Sequence, residues 1–118
     1  MGEFLERVVP EALSSELGQA LVIIYCRHLC EPDFRTQMRR LVAHEPEVLR
    51  QFDALDELHA EFPFQRLSRF SFEEELELLY WHNRQLESTE FMAEMRRLCR
   101  HVPEILARFD QMDAAEIN

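Results

Sequence analysis

The sequence predicts an all-α fold, a six-helix bundle built from two tandem three-helix repeats with an offset of 57 in the numbering, so that Met38 aligns with Met95. The repeat is visible in MRRLVAHEPEVLRQFDALD, residues 38–56, and MRRLCRHVPEILARFDQMD, residues 95–113, which agree at 11 of 19 positions. Apolar residues recur at helical spacing, and no stretch shows the period of two that indicates a strand. Prolines stand at the predicted joints, because proline is tolerated in a first helical turn but breaks a helix interior.

The first helix begins near Ser14 or Ser15 and runs to about Leu29. Serine favours a helix start, because its hydroxyl accepts a hydrogen bond from an otherwise unpaired amide of the first turn. Val22 and Ile23 widen its apolar stripe almost to the full circumference, so we expect a central, buried helix. The stripe itself consists of Leu13, Leu17, Leu21, Ile24 and His28.

The second helix follows EPDF and ends near His44, and the third opens at Pro46 and Glu47. Proline at the first helical position and an acidic residue in the first turn both favour a helix start. The side chains expected to point inward are Phe34, Met38 and Leu41 from the second helix, and Val48, Leu49, Phe52 and Leu55 from the third.

The second repeat follows the same plan after a connector, EFPFQRLSRF at residues 61–70. Its three phenylalanines are too apolar to stay solvated, so we expect the connector to pack as a clasp. Ahead of both repeats, EFLERVV at residues 3–9 predicts a short amphipathic segment. The inward residues of the second repeat are Phe72, Leu76, Leu79, Tyr80, Phe91, Met95, Leu98, Ile105, Leu106, Phe109 and Met112.

The chain fits one domain, 1–118, in which repeat 1 spans about 12–60 and repeat 2 about 71–117. A unit of this size buries too little surface to be stable alone. We therefore expect the repeats to pack on one another across an approximate two-fold axis. The alternative is an exposed apolar face that a homodimer covers.

The charge balance limits the choice of partner, with 23 acidic residues against 13 basic ones and a net charge of −10. Such a field repels phosphate groups, so we expect neither direct nucleic-acid binding nor membrane binding. The chain contains no lysine. This absence reflects a GC-rich genome, or it avoids lysine-directed modification and keeps arginine for bidentate carboxylate pairs.

Three cysteines, Cys26, Cys30 and Cys99, form an odd set without a secretory segment before them. This pattern favours reduced thiols and a cytoplasmic location. Cys26 and Cys30 lie one helical turn apart, and we expect both to be buried. The longest apolar run, residues 20–26, is far shorter than the ~20 residues that span a bilayer, which predicts no transmembrane segment.

Two arginine pairs recur in the repeats, Arg39 with Arg40 and Arg96 with Arg97. Adjacent helical residues point about 100° apart, so one member of each pair can approach the core while the other faces solvent. We expect Arg40 and Arg97 to pair with third-helix aspartates, which are Asp53, Asp56, Asp110 and Asp113. Arg39 and Arg96 are then assigned to a surface that binds an acidic partner segment.

His44 and His101 stand at equivalent positions beside the proline joints, where histidine can donate to the free carbonyls of a helix end. The alternative is a two-histidine metal site near Cys99. Structural zinc sites have four ligands at recognisable spacing, and the chain has no CxxC or HxxxH pair. We therefore assign no metal ligand, no cofactor and no catalytic residue, since capping explains the serines and no glycine-rich phosphate loop exists.

The stretch FEEELELLYWHN, residues 72–83, combines acidic and aromatic side chains. The same offset aligns its Tyr80 and Trp81 with Ile23 and Ile24, so the copies differ most here. An indole and a phenol beside carboxylates can form a docking patch for a basic partner. The other interpretation is a core helix with a polar outer face. The predicted partner-binding residues are Glu73, Glu74, Glu77, Tyr80, Trp81, Arg39 and Arg96.

These observations favour a non-catalytic protein-protein interaction module, a small acidic helical adaptor, inhibitor or regulator. Two alternatives stand beside it. In the first, an immunity-like inhibitor covers a basic nucleic-acid-binding protein, with carboxylates in place of phosphates, and its binding depends strongly on salt. In the second, His44, His101 and Cys99 hold a metal or cofactor, and the purified protein contains stoichiometric metal.

Overall fold

The computed structural model describes residues 13–117, with side chains described up to residue 115. Its six helices are α1 Ser15–Cys26, α2 Pro32–Leu41, α3 Pro46–Glu61, α4 Phe72–Gln85, α5 Thr89–Leu98 and α6 Pro103–Ile117. Residues 62–71 join α3 to α4 without helix, and no strand occurs between residues 13 and 117. The predicted all-helical fold is confirmed, whereas the predicted segment at residues 3–9 lies outside the described residues.

The helix starts follow from local chemistry. The Ser14 hydroxyl accepts a hydrogen bond of 3.1 Å from the Leu17 amide, so Ser14 rather than Ser15 caps α1. Ser71 and Glu74 form a reciprocal capping box at the start of α4, which satisfies two amides that the helix leaves unpaired. Proline occupies the first position of α2, α3 and α6, where the missing amide removes no helical hydrogen bond.

The two groups of three helices pack crosswise. Helix α1 contacts α2 and α3 of its own group and also α5, while α4 contacts α5 and α6 and also α2. Each first helix therefore reaches the second helix of the other group, and the groups share one core. Burial of a large apolar side chain contributes about 1.5–3 kcal/mol, so the shared core holds the halves together. Its fully buried members include Tyr25, Met38, Phe52, Tyr80, Met95 and Phe109.

Helix α1 is less buried than its sequence predicts. The side chain of Ile23 is 60% exposed, although those of Leu21, Ile24 and Tyr25 are buried. Three helices pack against α1, and they leave one of its faces open to solvent. The expectation of burial around nearly the full circumference was therefore wrong.

The connector packs against the helices only in part. Phe64 lies against the core, but Phe62 is 59% exposed and Phe70 is 39% exposed. Leu67 is also exposed, and its amide donates to the Arg27 carbonyl at 3.0 Å. The expected clasp of three phenylalanines is thus limited to Phe64, and the connector is also held by polar contacts such as the hydrogen bond from Leu67.

Candidate functional site

Tyr25, Arg39, Asp53 and Asp56 form a polar cluster, the Arg39 network, that joins α1, α2 and α3. The Arg39 guanidinium donates to Asp53 at 2.7 Å and to Asp56 at 2.6 Å. Its Nε donates to the Tyr25 hydroxyl at 3.3 Å, and that hydroxyl donates to Asp56 at 2.7 Å. The Tyr25 ring stacks on Phe52 with 3.8 Å between the ring centroids. One guanidinium therefore ties three helices.

The Arg96 network repeats these contacts between α4, α5 and α6 and consists of Tyr80, Arg96, Asp110 and Asp113. The Arg96 guanidinium donates to Asp110 at 2.8 Å and to Asp113 at 2.5 Å. Its Nε donates to the Tyr80 hydroxyl at 3.3 Å, and the hydroxyl donates to Asp113 at 2.8 Å. The Tyr80 ring stacks on Phe109 with 4.1 Å between the centroids. Each group of three helices is thus held by its own network, and the two networks consist of the same kinds of polar contact.

The two networks reveal a change of spacing between the halves. Tyr25 precedes Arg39 by 14 positions, whereas Tyr80, which makes the same contacts, precedes Arg96 by 16. The second half therefore has two more residues than the first between its tyrosine and its arginine. The alignment that paired Tyr80 with Ile23 was wrong for this helix, and Tyr25 is the structural counterpart of Tyr80.

Burial and hydrogen bonding set the protonation states in both networks. Burial raises the pKa of Tyr25 to about 12, and the hydrogen bond to Asp56 acts in the same direction. Burial also raises the pKa of Tyr80. Desolvation opposes ionisation of Asp56 and Asp113, but hydrogen bonds from the neighbouring tyrosine and arginine outweigh it and lower both carboxyl pKa values. At neutral pH each network therefore contains a neutral phenol, a guanidinium cation and one ionised carboxylate that both of them contact, Asp56 or Asp113.

The networks reverse the predicted roles of the paired arginines. One arginine of each pair does tie the second helix to the third, as expected, but it is Arg39 and Arg96 rather than Arg40 and Arg97. The side chain of Arg40 is exposed. The guanidinium groups of Arg39 and Arg96 bind aspartates of their own chain and do not line the depressions described below, so their assignment to a partner-binding surface stays a prediction.

A shallow apolar depression lies beside α4 and encloses about 240 Å³. On α4, Glu74, Glu77, Leu78 and Trp81 stand at positions i, i+3, i+4 and i+7, so they share one helical face. Leu78 is 44% exposed and Trp81 is 48% exposed, which leaves the depression open to a partner. We call this surface the α4 patch, and its lining residues are Phe70, Glu74, Glu77, Leu78, Trp81 and Met112.

Two of the predicted residues on this helix lie away from the patch. Tyr80 is 1% exposed, and its hydroxyl belongs to the Arg96 network, so its side chain cannot reach a partner. Glu73 lines a different depression, together with Arg40 and His101. Of the predicted residues on α4, Trp81, Glu74 and Glu77 therefore line the patch. The sequence did not indicate their apolar neighbours in the patch, Phe70, Leu78 and Met112.

The patch has a mixed charge environment. Glu74 closes the capping box, and the hydrogen bond from the Ser71 main chain lowers its carboxyl pKa. Glu77 forms an ion pair with Arg108 of α6. Arg84 lies over the Trp81 ring at 5.3 Å from the centroid, a cation–π arrangement. The rim of the patch therefore combines the carboxylates of Glu74 and Glu77 with the guanidinium groups of Arg84 and Arg108.

A buried polar contact joins the two halves. His28 is 0% exposed and Glu75 is 3% exposed. Nε2 of His28 lies 3.1 Å from the Glu75 carboxylate, and its Nδ1 contacts Glu31. Ser68 donates to Glu75 at 2.8 Å, and Arg27 lies 3.4 Å from its other oxygen. Glu75 of α4 therefore joins the turn after α1 to the connector through buried polar contacts.

The histidines and cysteines do not form the alternative metal site. His44 and His101 line one cleft, but Cys99 is fully buried and does not line it. Burial raises the pKa of the Cys99 thiol to about 12. Cys26 is half-buried and Cys30 is exposed, so the expectation that both are buried was wrong. In the described part of the chain, no three His, Cys, Asp or Glu side chains are grouped to hold a metal ion.

No protein-family model, curated protein or solved structure matches this chain. Among the helices of residues 13–117, none combines the length and apolar character that crossing a bilayer requires. A function for the chain therefore rests on its surface and its clefts.

Proposed function

We propose that this protein is a non-catalytic protein-protein interaction module, a small acidic adaptor, inhibitor or regulator that binds a basic partner through the α4 patch. The observation that carries the proposal is the exposure of Leu78 and Trp81 beside Glu74 and Glu77 on one helical face. Tryptophan is enriched among the residues that contribute most to binding free energy, because a partner that covers its large ring removes much apolar surface from water.

The chemistry of the patch favours one class of partner, a protein segment with an apolar anchor and flanking Lys or Arg side chains. The depression of about 240 Å³ suits one large apolar side chain. The exposed carboxylate of Glu74 and the shared carboxylate of Glu77 can then pair with cations at its edge. A net charge of −10 accelerates the approach of such a partner.

The apolar part of the patch is tested by affinity capture from native lysate with three baits. Trp81→Ala removes the indole, and we expect the partner captured by the wild type to be lost at unchanged far-UV circular dichroism. Leu86→Ala is the matched control, because Leu86 is 62% exposed and lies outside the patch. Retention of the partner by Trp81→Ala, or equal loss with Leu86→Ala, would remove the proposal.

The acidic part of the patch is tested with a double variant, Glu74→Gln and Glu77→Gln. Glutamine can still close the capping box at Glu74, whereas the change at Glu77 also removes the ion pair with Arg108 of α6. We expect weaker binding and a smaller salt dependence than in the wild type. Binding that disappears entirely with moderate salt supports instead the immunity-like, nucleic-acid-mimicking inhibitor, because interactions through carboxylates alone are strongly screened.

We also propose that the bundle arose by duplication of one three-helix unit. Support comes from the repeated stretch, the two matching networks and the crosswise packing of α1 on α5 and α4 on α2. A single offset, the one that aligns Met38 with Met95, relates the second and third helices of each unit. The homodimer alternative uses the same α4 patch as a self-interface, and sedimentation of Trp81→Ala beside the wild type separates it from binding to another protein.

The proposal includes a reducing, cytoplasmic setting, since Cys26, Cys30 and Cys99 are all free thiols. A metal-binding function has weaker support. Cys99 is separated from the cleft of the two histidines, and zinc sites need a fuller ligand set than His44 and His101 provide.

A further inference from the structure

A second cleft lies between the turns that follow α2 and α5, and it encloses about 240 Å³. Both halves contribute to it through equivalent positions, Leu41 with Leu98 and His44 with His101. The remaining lining residues are Leu13, Glu45, Arg97 and Arg100. The cleft shares no residue with the α4 patch.

The charges of this cleft differ in sign from the rest of the molecule. Arg97 and Arg100 are permanent cations, and His44 can donate a ring N–H, whereas His101 contacts the Arg40 carbonyl through its Nε2. Among the lining residues that the structure describes, Glu45 alone carries a carboxylate, which accepts a hydrogen bond of 3.3 Å from the Leu13 amide. These donors gather here although the chain has a net charge of −10.

We propose that this cleft binds a compact dianion, either a phosphoryl group or a small dicarboxylate. Arg97 and Arg100 each make other contacts, but a guanidinium has five N–H donors and can hold a ligand in addition. Planar guanidinium groups bind phosphate and carboxylate oxygens in a bidentate manner. Leu41 and Leu98 exclude water from one side, which strengthens these charge-assisted hydrogen bonds.

The size of the cleft agrees with a small ligand. Pockets for drug-sized molecules occupy about 300–1,000 Å³, and a cleft below that range suits a ligand of a few heavy atoms. Nε2 of His101 lies 3.4 Å from the Arg40 carbonyl, which orients the imidazole at the edge of the cleft. The ligand therefore bridges the two halves of the bundle.

The test is NMR titration of the intact protein with inorganic phosphate, succinate and sodium chloride at one ionic strength. We expect saturable shifts of the His44 and His101 ring signals with phosphate or succinate, and no saturation with chloride. Saturation by phosphate alone identifies a phosphoryl site, and saturation by succinate identifies a dicarboxylate site. The same response to all three salts shows an ionic-strength effect and overturns the proposal.

Charge variants locate the site. Arg97→Gln and Arg100→Gln should each lower the affinity for the anion by about tenfold or more, because each variant loses a charge-assisted hydrogen bond. Arg50→Gln is the control, because Arg50 is an exposed cation of α3 that pairs with Glu47 outside the cleft. Equal affinity in Arg100→Gln and Arg50→Gln overturns the proposal even if Arg97→Gln fails to fold. Neither outcome bears on the α4 patch.

Discussion

Arg39 and Arg96 each hold three side chains of their own chain, so the Arg39 and Arg96 networks concentrate several helix contacts in one residue. Each guanidinium reaches two aspartates and one tyrosine hydroxyl. About a third of each arginine side chain is exposed, and solvent weakens the ion pairs to that extent. The buried tyrosine hydroxyl loses a donor when the arginine is removed, which adds to the cost.

We expect Arg39→Ala to lower the free energy of unfolding by about 1–3 kcal/mol, the range for losing hydrogen bonds to a charged group. Arg40→Ala, one position along on the exposed face, should change it by less than about 0.5 kcal/mol. Urea unfolding of both variants measures the difference. Equal destabilisation by Arg39→Ala and Arg40→Ala would show that the Arg39 network contributes no more to stability than an exposed arginine on the helix surface.

The free energy of unfolding should fall at alkaline pH because of two buried groups, the Tyr25 phenol and the Cys99 thiol. Tyr25 and Cys99 both have pKa values raised to about 12, so folding favours their neutral forms. Their contribution is complete below the ordinary pKa values, near 9 for the thiol and 10 for the phenol, and is lost as pH rises to about 12. Urea midpoints measured across this alkaline range record the loss. In Cys99→Ala the decline should begin about one unit later, and an identical curve would contradict the assignment.

At the scale of single elements, α4 ends in an unusual way. Glu87 has φ of 58°, in the left-handed region that favours glycine. The Glu87 amide donates to the Arg84 carbonyl at 3.0 Å, and the Ser88 amide donates to the Asn83 carbonyl at 2.9 Å. These two hydrogen bonds form a Schellman motif, whose left-handed position is usually glycine. The two additional residues of the second half lie in the segment that contains this turn.

Replacing Glu87 by glycine should stabilise the protein by about 0.5–1 kcal/mol, since relief of backbone strain exceeds the added entropy of the unfolded chain. Thermal unfolding measures the change. Glu90→Gly, in the first turn of α5, is the control and should destabilise the protein by up to about 1 kcal/mol, the glycine cost in a helix interior. A lower melting temperature in Glu87→Gly would mean that the Glu87 side chain makes a contact that stabilises the protein by more than the backbone strain destabilises it.

The helices could be predicted from the sequence because their signals are local. Serine caps, first-position prolines and apolar spacing all act within a few residues of the helix they define. Which of Arg39 and Arg40 binds the aspartates of α3 could not be predicted. Their side chains point about 100° apart, and only the way in which α3 crosses α2 decides which of them it meets. Tyr80 was misplaced for a different reason, since two additional residues between Tyr80 and Arg96 shift α4 relative to α1, while the second and third helices keep the original offset.

At the scale of the whole molecule, the His28–Glu75 contact is a polar tie between halves that otherwise share an apolar core. Removing one partner of a buried polar contact leaves a buried donor or acceptor of the other unsatisfied. Glu75→Ala should therefore destabilise the protein by about 1–3 kcal/mol, whereas Glu73→Ala, two residues earlier and partly exposed, should cost less than about 0.5 kcal/mol. Urea unfolding compares them. Similar costs would indicate that Glu75 is satisfied by water rather than by His28.

The candidate site could be predicted only in part. Trp81, Glu74 and Glu77 are neighbours on one helix, so periodicity identifies them. Phe70 and Met112 come from the connector and α6, and only the fold brings them to the same depression. Glu75 carried a usable signal, because it stands three residues after Phe72 and one before Leu76, on the inward stripe of α4.

Trp81 is the single tryptophan of the chain, and it lies half-exposed in the α4 patch. Its fluorescence emission therefore reports the polarity of this one surface without any label or background from a second indole. Covering the ring should shift the emission maximum to shorter wavelength, and removal of Arg84 from the ring should alter the quantum yield. The protein thus carries its own optical reporter at the position where a partner is expected to bind.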